Sequence, residues 1–586
     1  MDQTTGQSAR TTTAIRLGMG LLQGLVLFLL QHAQTAKAWP ATQPLVFAPL
    51  VLGTLFAPFV VLAGIGALRR NSLIVWALGA TAFAAGLAFY GAWLGVDADK
   101  MPEATVFLAI AVGLFIAHHL IQPAEAERRW VAGYPAYFDI TWMHGVQMVL
   151  SAGFTGAFWI LLYLGASLFK LIGIEAFQKL ITEEAFAIPA TTVMFAAAVQ
   201  LTDVRSSLVR GVRTVALTLL AWLLPLMTLI AAAFLASLPF TGLEPLWKTR
   251  AATALLLTAA AHLIVLINAA YQDGEDAPPV VLAWAARIAG GLLIPISALA
   301  AYGLALRIGQ YGLTPERVFA AAFVLVAAGY AVGYTIAAVR RGDWMKALEK
   351  TNVAQAFMAI ALILALFTPI ADPARLSVQD QVARLERGKV KPEAFDFQFL
   401  RFDSGPYGRA ALERLTASKD TVIADGAKAA AAKKTRTAPM LEKIDLSRLP
   451  VHPAGRALPD SFLRQDWRDD SGSGCIGQGS QCQALLLDIN TDGTEEVLLT
   501  NGASFDVFSF DGARWRKTAE TPYVCDAVDL AAALKAGTVR AGVLSQHDVF
   551  VGGRRLFLVP AGDGCSGEAS SSSSGYKVGI IDEDRR

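Results

Sequence analysis

The sequence predicts an α-helical polytopic membrane bundle of about eleven transmembrane helices, followed by a soluble α+β domain. Three observations lead there. The 586 residues are 54% hydrophobic and only 17% charged, where soluble domains carry roughly 25% charge. Between residues 14 and 371 the apolar residues form run after run long enough to cross a bilayer, which takes about 20 residues of helix. All four cysteines, Cys475, Cys482, Cys525 and Cys565, fall in the polar remainder. Two regions face two solvents.

The runs lie at about 14–33, 45–68, 72–95, 104–121, 144–169, 187–203, 214–238, 251–270, 280–306, 318–338 and 352–371. The first has a signal-peptide look, with Arg10, Arg16 and "AKA" behind its apolar core, but a second span follows closely and a retained helix is expected. The sixth, "AIPATTVMFAAAVQLTD", is short and only modestly apolar. Arginine doublets at 69–70, 128–129 and 340–341 all fall on the side of the N-terminus. The positive-inside rule makes that side cytoplasmic, and an odd number of spans then exports the C-terminal domain. A cytoplasmic N-terminus and an exported C-terminal domain are therefore expected.

Between the fifth and sixth runs, "FKLIGIEAFQKLITEEAF" places Leu171, Ile174, Phe177 and Ile181 at helical spacing opposite Glu175, Lys179 and Glu183. That pattern suits a helix lying in the outer interface. "GYPAYFDITW" (133–142) is aromatic, as an anchor at the inner interface would be. In "YGLTPERV" (311–318), Thr314 is placed to cap the tenth helix, with Pro315 in its first turn and Glu316 at its positive end.

Several stretches resemble one family: "LLQGLVLFLLQ" followed by "WPATQP", then "FTGAFWILLYLGASLFKLIGIEAF", "LRIGQYGLTPERV" and "LSVQDQVARLERGKVKPEAFDFQFLRFDSGPYGRAALERL". Together they are similar to the bacterial membrane proteins grouped as domain of unknown function 4153, over most of residues 14–416. The resemblance implies a multi-pass inner-membrane protein and brings no reaction, substrate or catalytic residue.

Ionisable groups inside spans are costly and often functional. No Asp or Glu lies in the middle of any predicted span, which counts against ion-coupled transport. His262 in the eighth run and Arg287 in the ninth sit on consecutive antiparallel helices at a common depth of roughly 12–13 Å, with Asn268 and Gln200 nearer the inner surface. One reading is a polar cavity lined by all four. The other is Arg287 snorkelling inward beside a neutral, locally bonded His262. His118 and His119 read as interfacial.

After the last run, residues 372–440 form a helical segment and an Ala- and Lys-rich tether, and 441–586 a β-rich domain. "QALLLDI", "EEVLLTN", "FDVFSF", "RWRKT", "VFVGGRRLFLV" and "YKVGII" have strand character, with hairpin turns at "FDG" and "VGG". Of three possible disulfide pairings, Cys475–Cys482 with Cys525–Cys565 is favoured because the first closes a short glycine-rich loop. Four reduced thiols or a zinc site are the alternatives, though "CIGQGSQC" is wide for zinc. The stretch "LLLDINTDGTEEVLL" (485–499) sets Asp488, Asn490 and Asp492 at alternate positions, then Gly493, Thr494 and Glu496. That is a calcium-loop spacing, with Leu499 where an EF-hand needs glutamate. It is also the pattern of an acidic hairpin turn. Residues 485–516 resemble a single FG-GAP-type repeat, which implies a structural Ca²⁺ held by Asp488, Asn490, Asp492, Thr494 and Glu496.

No nucleophile elbow, P-loop or zinc-protease motif occurs, and the adjacent His547 and Asp548 have no nucleophile singled out beside them. With a net charge of +2 and no basic stripe, nucleic acid is not a partner. The first functional expectation is a non-enzymatic membrane protein whose periplasmic domain binds or senses an envelope partner, protein or small ligand. The second is a transporter or lipid-handling protein working through the bundle. A membrane-bound enzyme with a site at the outer interface is third.

Overall fold

Eleven helices among the described residues are long and apolar enough to cross a membrane. The structure is a computed structural model, and it describes residues 2–95, 104–249, 251–340, 344–433 and, with gaps, 446–560 and 576–580. The spans are α1 (Asp2–Thr35), α2 (Pro44–Gly64), α3 (Arg70–Leu94), α4 (Ala104–Ala126), α5 (Tyr134–Leu171), α7 (Glu184–Val204), α8 (Ser206–Thr241), α10 (Ala252–Tyr271), α11 (Val280–Tyr311), α12 (Pro315–Val339) and α13 (Ala347–Leu366). Short helices α6 (Ala176–Thr182) and α9 (Glu244–Lys248) lie in the connections. The face on which α1 begins is called the N-terminal face below.

The sequence-based boundaries need three corrections. The fifth span starts at Tyr134, so "GYPAYFDITW" is not a separate anchor but the first turns of α5, with Tyr134 and Phe138 buried in the bundle core. The predicted interfacial helix over 169–186 is broken, because Gly173 takes a left-handed φ of +82° after α5 ends and only Ala176–Thr182 resumes. Within it Ile181 is buried while Leu171 is exposed. Finally, α12 does begin at Pro315, but the Thr314 side chain makes no capping bond.

Lipid is as apolar as a leucine side chain, so helices associate through close packing and internal hydrogen bonds rather than hydrophobic drive. Both devices are present. Gly20 and Gly24 form a G-x-x-x-G pair on α1 that meets α7: a Cβ at Gly24 would stand 2.5 Å from Pro189 Cα, and one at Gly20 2.8 Å from Thr192 O. Gly329 and Gly333 make the same spacing on α12, against Gln355 and Thr351 of α13.

The hydrogen-bonding device is a closed ring of four side chains from four helices. Asn352 Nδ2 donates to Asn268 Oδ1 (2.7 Å) and to Tyr134 Oη (3.2 Å), and Tyr134 Oη donates to Asn268 Oδ1 (3.3 Å). Asn268 Nδ2 donates to Tyr334 Oη (2.8 Å), which donates onward to Asn352 Oδ1 (2.7 Å). The ring ties α5, α10, α12 and α13 together. Nearby, Tyr271 Oη donates to Glu349 (2.8 Å) and its ring stacks on Trp344.

Beyond α13 come α14 (Pro373–Glu386), α15 (Gly405–Thr416) and α16 (Thr421–Ala432). Asp372, fully buried, caps α14 through Arg375 N–H (2.7 Å) and accepts from Tyr90 Oη of α3 (3.0 Å), which also meets Tyr407 Oη (3.1 Å). Burial raises the Asp372 carboxyl above the usual carboxylate range. From α14, Gln381 and Arg384 donate to the last carbonyls of α11, a cation at a helix C-terminus. The helical segment is thus fastened to the bundle, and the two compact units are Met1–Lys434 and Thr435–Arg586.

The second unit holds a sheet ordered β1 (Val451–His452), β2 (Gln483–Leu487), β3 (Glu496–Thr500), β4 (Phe505–Phe510) and β5 (Trp515–Glu520), antiparallel except for the β1–β2 pair. Val497 and Leu499 of β3 face Phe462, Phe508 and Trp515, while Leu498 faces Leu530 and Leu534 of α18 (Leu530–Ala536) on the other side. A three-stranded antiparallel sheet follows: β6 (Val549–Val551), β7 (Arg554–Pro560) and β8 (Tyr576–Ile580). Cys475 and Cys482 form a disulfide with a Cα separation of 5.8 Å. Cys525, Cys565, His547 and Asp548 lie outside the described residues.

The ring should be a measurable part of bundle stability. Asn352→Leu removes its donors and leaves Asn268 Oδ1 and Tyr334 Oη short of partners, at a cost of about 1–2 kcal/mol. Thermal unfolding of the purified full chain should show a lower Tm for this variant than for an exposed control, Val332→Leu.

Candidate functional site

The four intramembrane residues expected to line one cavity go to separate places. His262 is exposed on the flank of α10, where Nδ1 bonds its own helix at Thr258 O (2.8 Å). Arg287 is half-buried, and its Nε is buried without a partner. Asn268 belongs to the hydrogen-bonded ring. Gln200 accepts from Arg16 Nη1 at 2.6 Å. Of the two readings, His262 bonded to its own helix fits the second, and the four residues do not come together. Azimuth decides contact: six residues separate His262 from Asn268, which at 3.6 per turn puts them on different faces of α10.

A different constellation lies between α4 and α5. His119 Nε2 and His144 Nδ1 are 3.0 Å apart, and His118 completes the group with ring centroids 5.4 Å from His119 and 5.6 Å from His144. His119 Nδ1 is 2.6 Å from Phe115 O, and His118 Nδ1 accepts from Trp76 Nε1 of α3 (3.1 Å). His118 and His119 are buried, not interfacial. Sequence reasoning missed His144 altogether. The signal was there, because His119 lies about 10 Å from the end of α4 and His144 about 15 Å from the start of α5, on consecutive antiparallel helices.

These histidines form one end of a cavity of about 530 Å³ between α2, α4, α5 and α7. The rest of its wall is apolar, including Phe56, Phe59, Phe107, Val112, Met148 and Phe195. Phe59, Val112 and Met148 are 37%, 40% and 46% exposed, so the cavity opens on the lipid-facing flank. A second cavity of about 320 Å³ lies beside the ring and shares Phe115 and His119 with the first. Buried Arg16 braces the N-terminal face: it bonds Gln200 and Asp203 of α7 at 2.6 and 2.8 Å and reaches Ile65 O, just beyond α2, at 3.4 Å. Among the described residues no group of His, Cys, Asp and Glu is arranged to hold a metal ion.

The 488–496 loop joins β2 to β3, as its strand–acidic loop–strand pattern predicts. Most of its side-chain oxygens accept from the loop itself, while Asp488 Oδ1 is buried with no partner among the described residues. Asp488 Oδ2 accepts from Gly493 N–H, Asn490 Oδ1 from Asp492 N–H, and Asp492 Oδ1 from Thr494 N–H, at 2.7–3.0 Å. Glu496, buried, accepts from Ile489 N–H and Asn490 Nδ2. Gly493 supplies the left-handed φ of +84° the turn needs. The Thr494 N–H bond holds the Asp492 carboxyl below the usual range.

Eleven apolar helices carrying buried polar clusters define a multi-pass integral membrane protein. Within that class, the family model described as Domain of unknown function (DUF4153) matches residues 47–415, and the chain belongs to that family. The match runs from α2 into α15, so it takes in both cavities and the ring and ends before residues 485–516, whose resemblance to an FG-GAP repeat it does not confirm. No curated protein and no solved structure matches the chain.

The loop geometry gives a signed pH dependence. Because Asp492 titrates lower folded than unfolded, its contribution is present above pH ~4 and lost as pH falls through the depressed value. The protection factor of the Thr494 amide against hydrogen exchange should fall over that acid window, and Asp492→Asn should remove the transition.

Proposed function

We propose that the chain is a lipid-handling membrane protein that takes the tail of a single-chain amphiphile into the cavity between α2, α4, α5 and α7, with the head at the histidines. The observation that carries this is the cavity's polarity: apolar along its length, polar at one end, and open to lipid at its side. Along α4 it extends from Phe107 to His119, twelve residues or about 18 Å, against ~15 Å for one leaflet of a ~30 Å hydrocarbon core. Its volume of about 530 Å³ sits within the ~300–1,000 Å³ of small-ligand sites. An exported domain that binds an envelope partner has less support, since both faces of its five-stranded sheet are covered by its own chain.

The setting we propose is a bacterial inner membrane with the N-terminal face in the cytoplasm and the second unit in the periplasm. The arginine doublets and the Cys475–Cys482 bridge both favour that orientation.

Val112→Trp and Met148→Trp fill the cavity mouth from opposite walls at partly exposed positions. Native mass spectrometry of each purified variant should show loss of a lipid that the wild type retains, with Tm unchanged. Equal lipid retention in wild type and both variants would reject the reading. For orientation, a reporter active only in the periplasm should work when fused after Arg586 and be silent in the α12–α13 connection; the reverse pattern would invert the topology.

A further inference from the structure

Hydrogen-bond directions at the histidines can be assigned ring by ring. Phe115 O only accepts, so His119 Nδ1, 2.6 Å away, carries a proton and donates. A charged ring here would sit against an apolar wall at high cost, so both rings of the His119–His144 pair are neutral. His119 Nε2 is then a lone pair, and the 3.0 Å contact requires His144 Nδ1 to donate to it. His144 Nε2 is left as a lone pair in the cavity wall, bonded to no described residue.

Among the described residues no group donates to His144 Nε2. His118 Nδ1 accepts from Trp76, which puts the His118 proton on Nε2, and that atom is buried without a partner. Gln147 Nε2 gives one N–H to Val199 O and keeps a second, beside the acceptor Oε1. Arg16 is not part of the wall and is occupied by Gln200, Asp203 and Ile65 O. His144 Nε2 is therefore the acceptor this end of the cavity offers to a ligand's proton.

The geometry points to a long-chain alcohol as the ligand class: one tail in the cavity and a hydroxyl head donating to His144 Nε2. This rests on the amphiphile reading above and narrows it. A phosphocholine head has no proton to give His144 Nε2, so a phosphatidylcholine is disfavoured at that atom.

The test uses the full chain in detergent, photolabelled with a diazirine-bearing hexadecanol and competed with unlabelled hexadecanol, hexadecyl methyl ether and a phosphatidylcholine. Hexadecanol should compete about five- to tenfold better than the ether, the worth of one hydrogen bond. His144→Asn keeps an amide nitrogen near the Nδ1 position facing His119 but removes Nε2. It should bring hexadecanol down to the level of the ether without weakening the ether, at wild-type Tm. Equal competition by alcohol and ether in the wild type overturns the hydroxyl assignment but leaves the cavity reading standing. So does a preference that survives in His144→Asn, or phosphatidylcholine competing best. Absence of labelling on α2, α4, α5 or α7 overturns both readings. A second variant, His262→Asn on the outer flank of α10, should behave as wild type; loss of the preference there also overturns the assignment.

Discussion

A bilayer core offers polar groups no water, so every donor and acceptor must find its partner within the protein. The rest of the bundle is arranged around that constraint at the Tyr134–Asn268–Tyr334–Asn352 ring. Each asparagine brings both a donor and an acceptor, each tyrosine a hydroxyl that does both, and the four close on one another. None of the four helices can slide or rotate without breaking at least two bonds. The ring holds the start of α5 toward α10, α12 and α13, while α4 packs with α2 and α3 around a separate apolar cluster. The cavity lies where those two packings part.

The same accounting separates structural from functional polarity. The ring spends its hydrogen-bonding capacity internally, as does Asp372 with Tyr90 and the α14 backbone. At the histidines the accounting does not close. His119 is satisfied by Phe115 O and His144, yet His144 keeps a nitrogen with no partner in the wall of a cavity. A polar atom left open beside apolar space is costly unless something occupies it.

What the sequence made legible follows from one-dimensional signals. Apolar runs gave all eleven spans, including the weak sixth, and short apolar runs bounded by turn residues gave the strands on either side of the Asp-Gly turn. The short glycine-rich Cys475–Cys482 loop was also readable. The site was not, because contact between helices depends on azimuth and on which helices are neighbours. His262 bonds its own helix, whereas His119 and His144 meet across two helices at 3.0 Å. Two G-x-x-x-G spacings, at Gly20 and Gly329, did carry that missing information, since each marks the side on which a partner helix approaches. The two-residue β1 strand, paired parallel to β2 across a long connection, has no local signature at all.

Arg16 shows how the cavity comes to face lipid rather than water. A guanidinium 3% exposed needs several acceptors, and it finds them on both sides of the N-terminal face: Gln200 and Asp203 at the end of α7, and Ile65 O beyond the end of α2. Asp203 is half exposed, so the pair is only partly desolvated and avoids the full cost of a buried ion pair. α2 and α7 are two of the cavity's four walls, and Arg16 draws their ends together. The gap that remains is lateral, past Phe59, Val112 and Met148, where no polar group would oppose a hydrocarbon chain. An opening on the flank of the bundle, with the histidines at one end of the cavity, follows from closing the N-terminal face with an arginine and leaving the flank to apolar side chains.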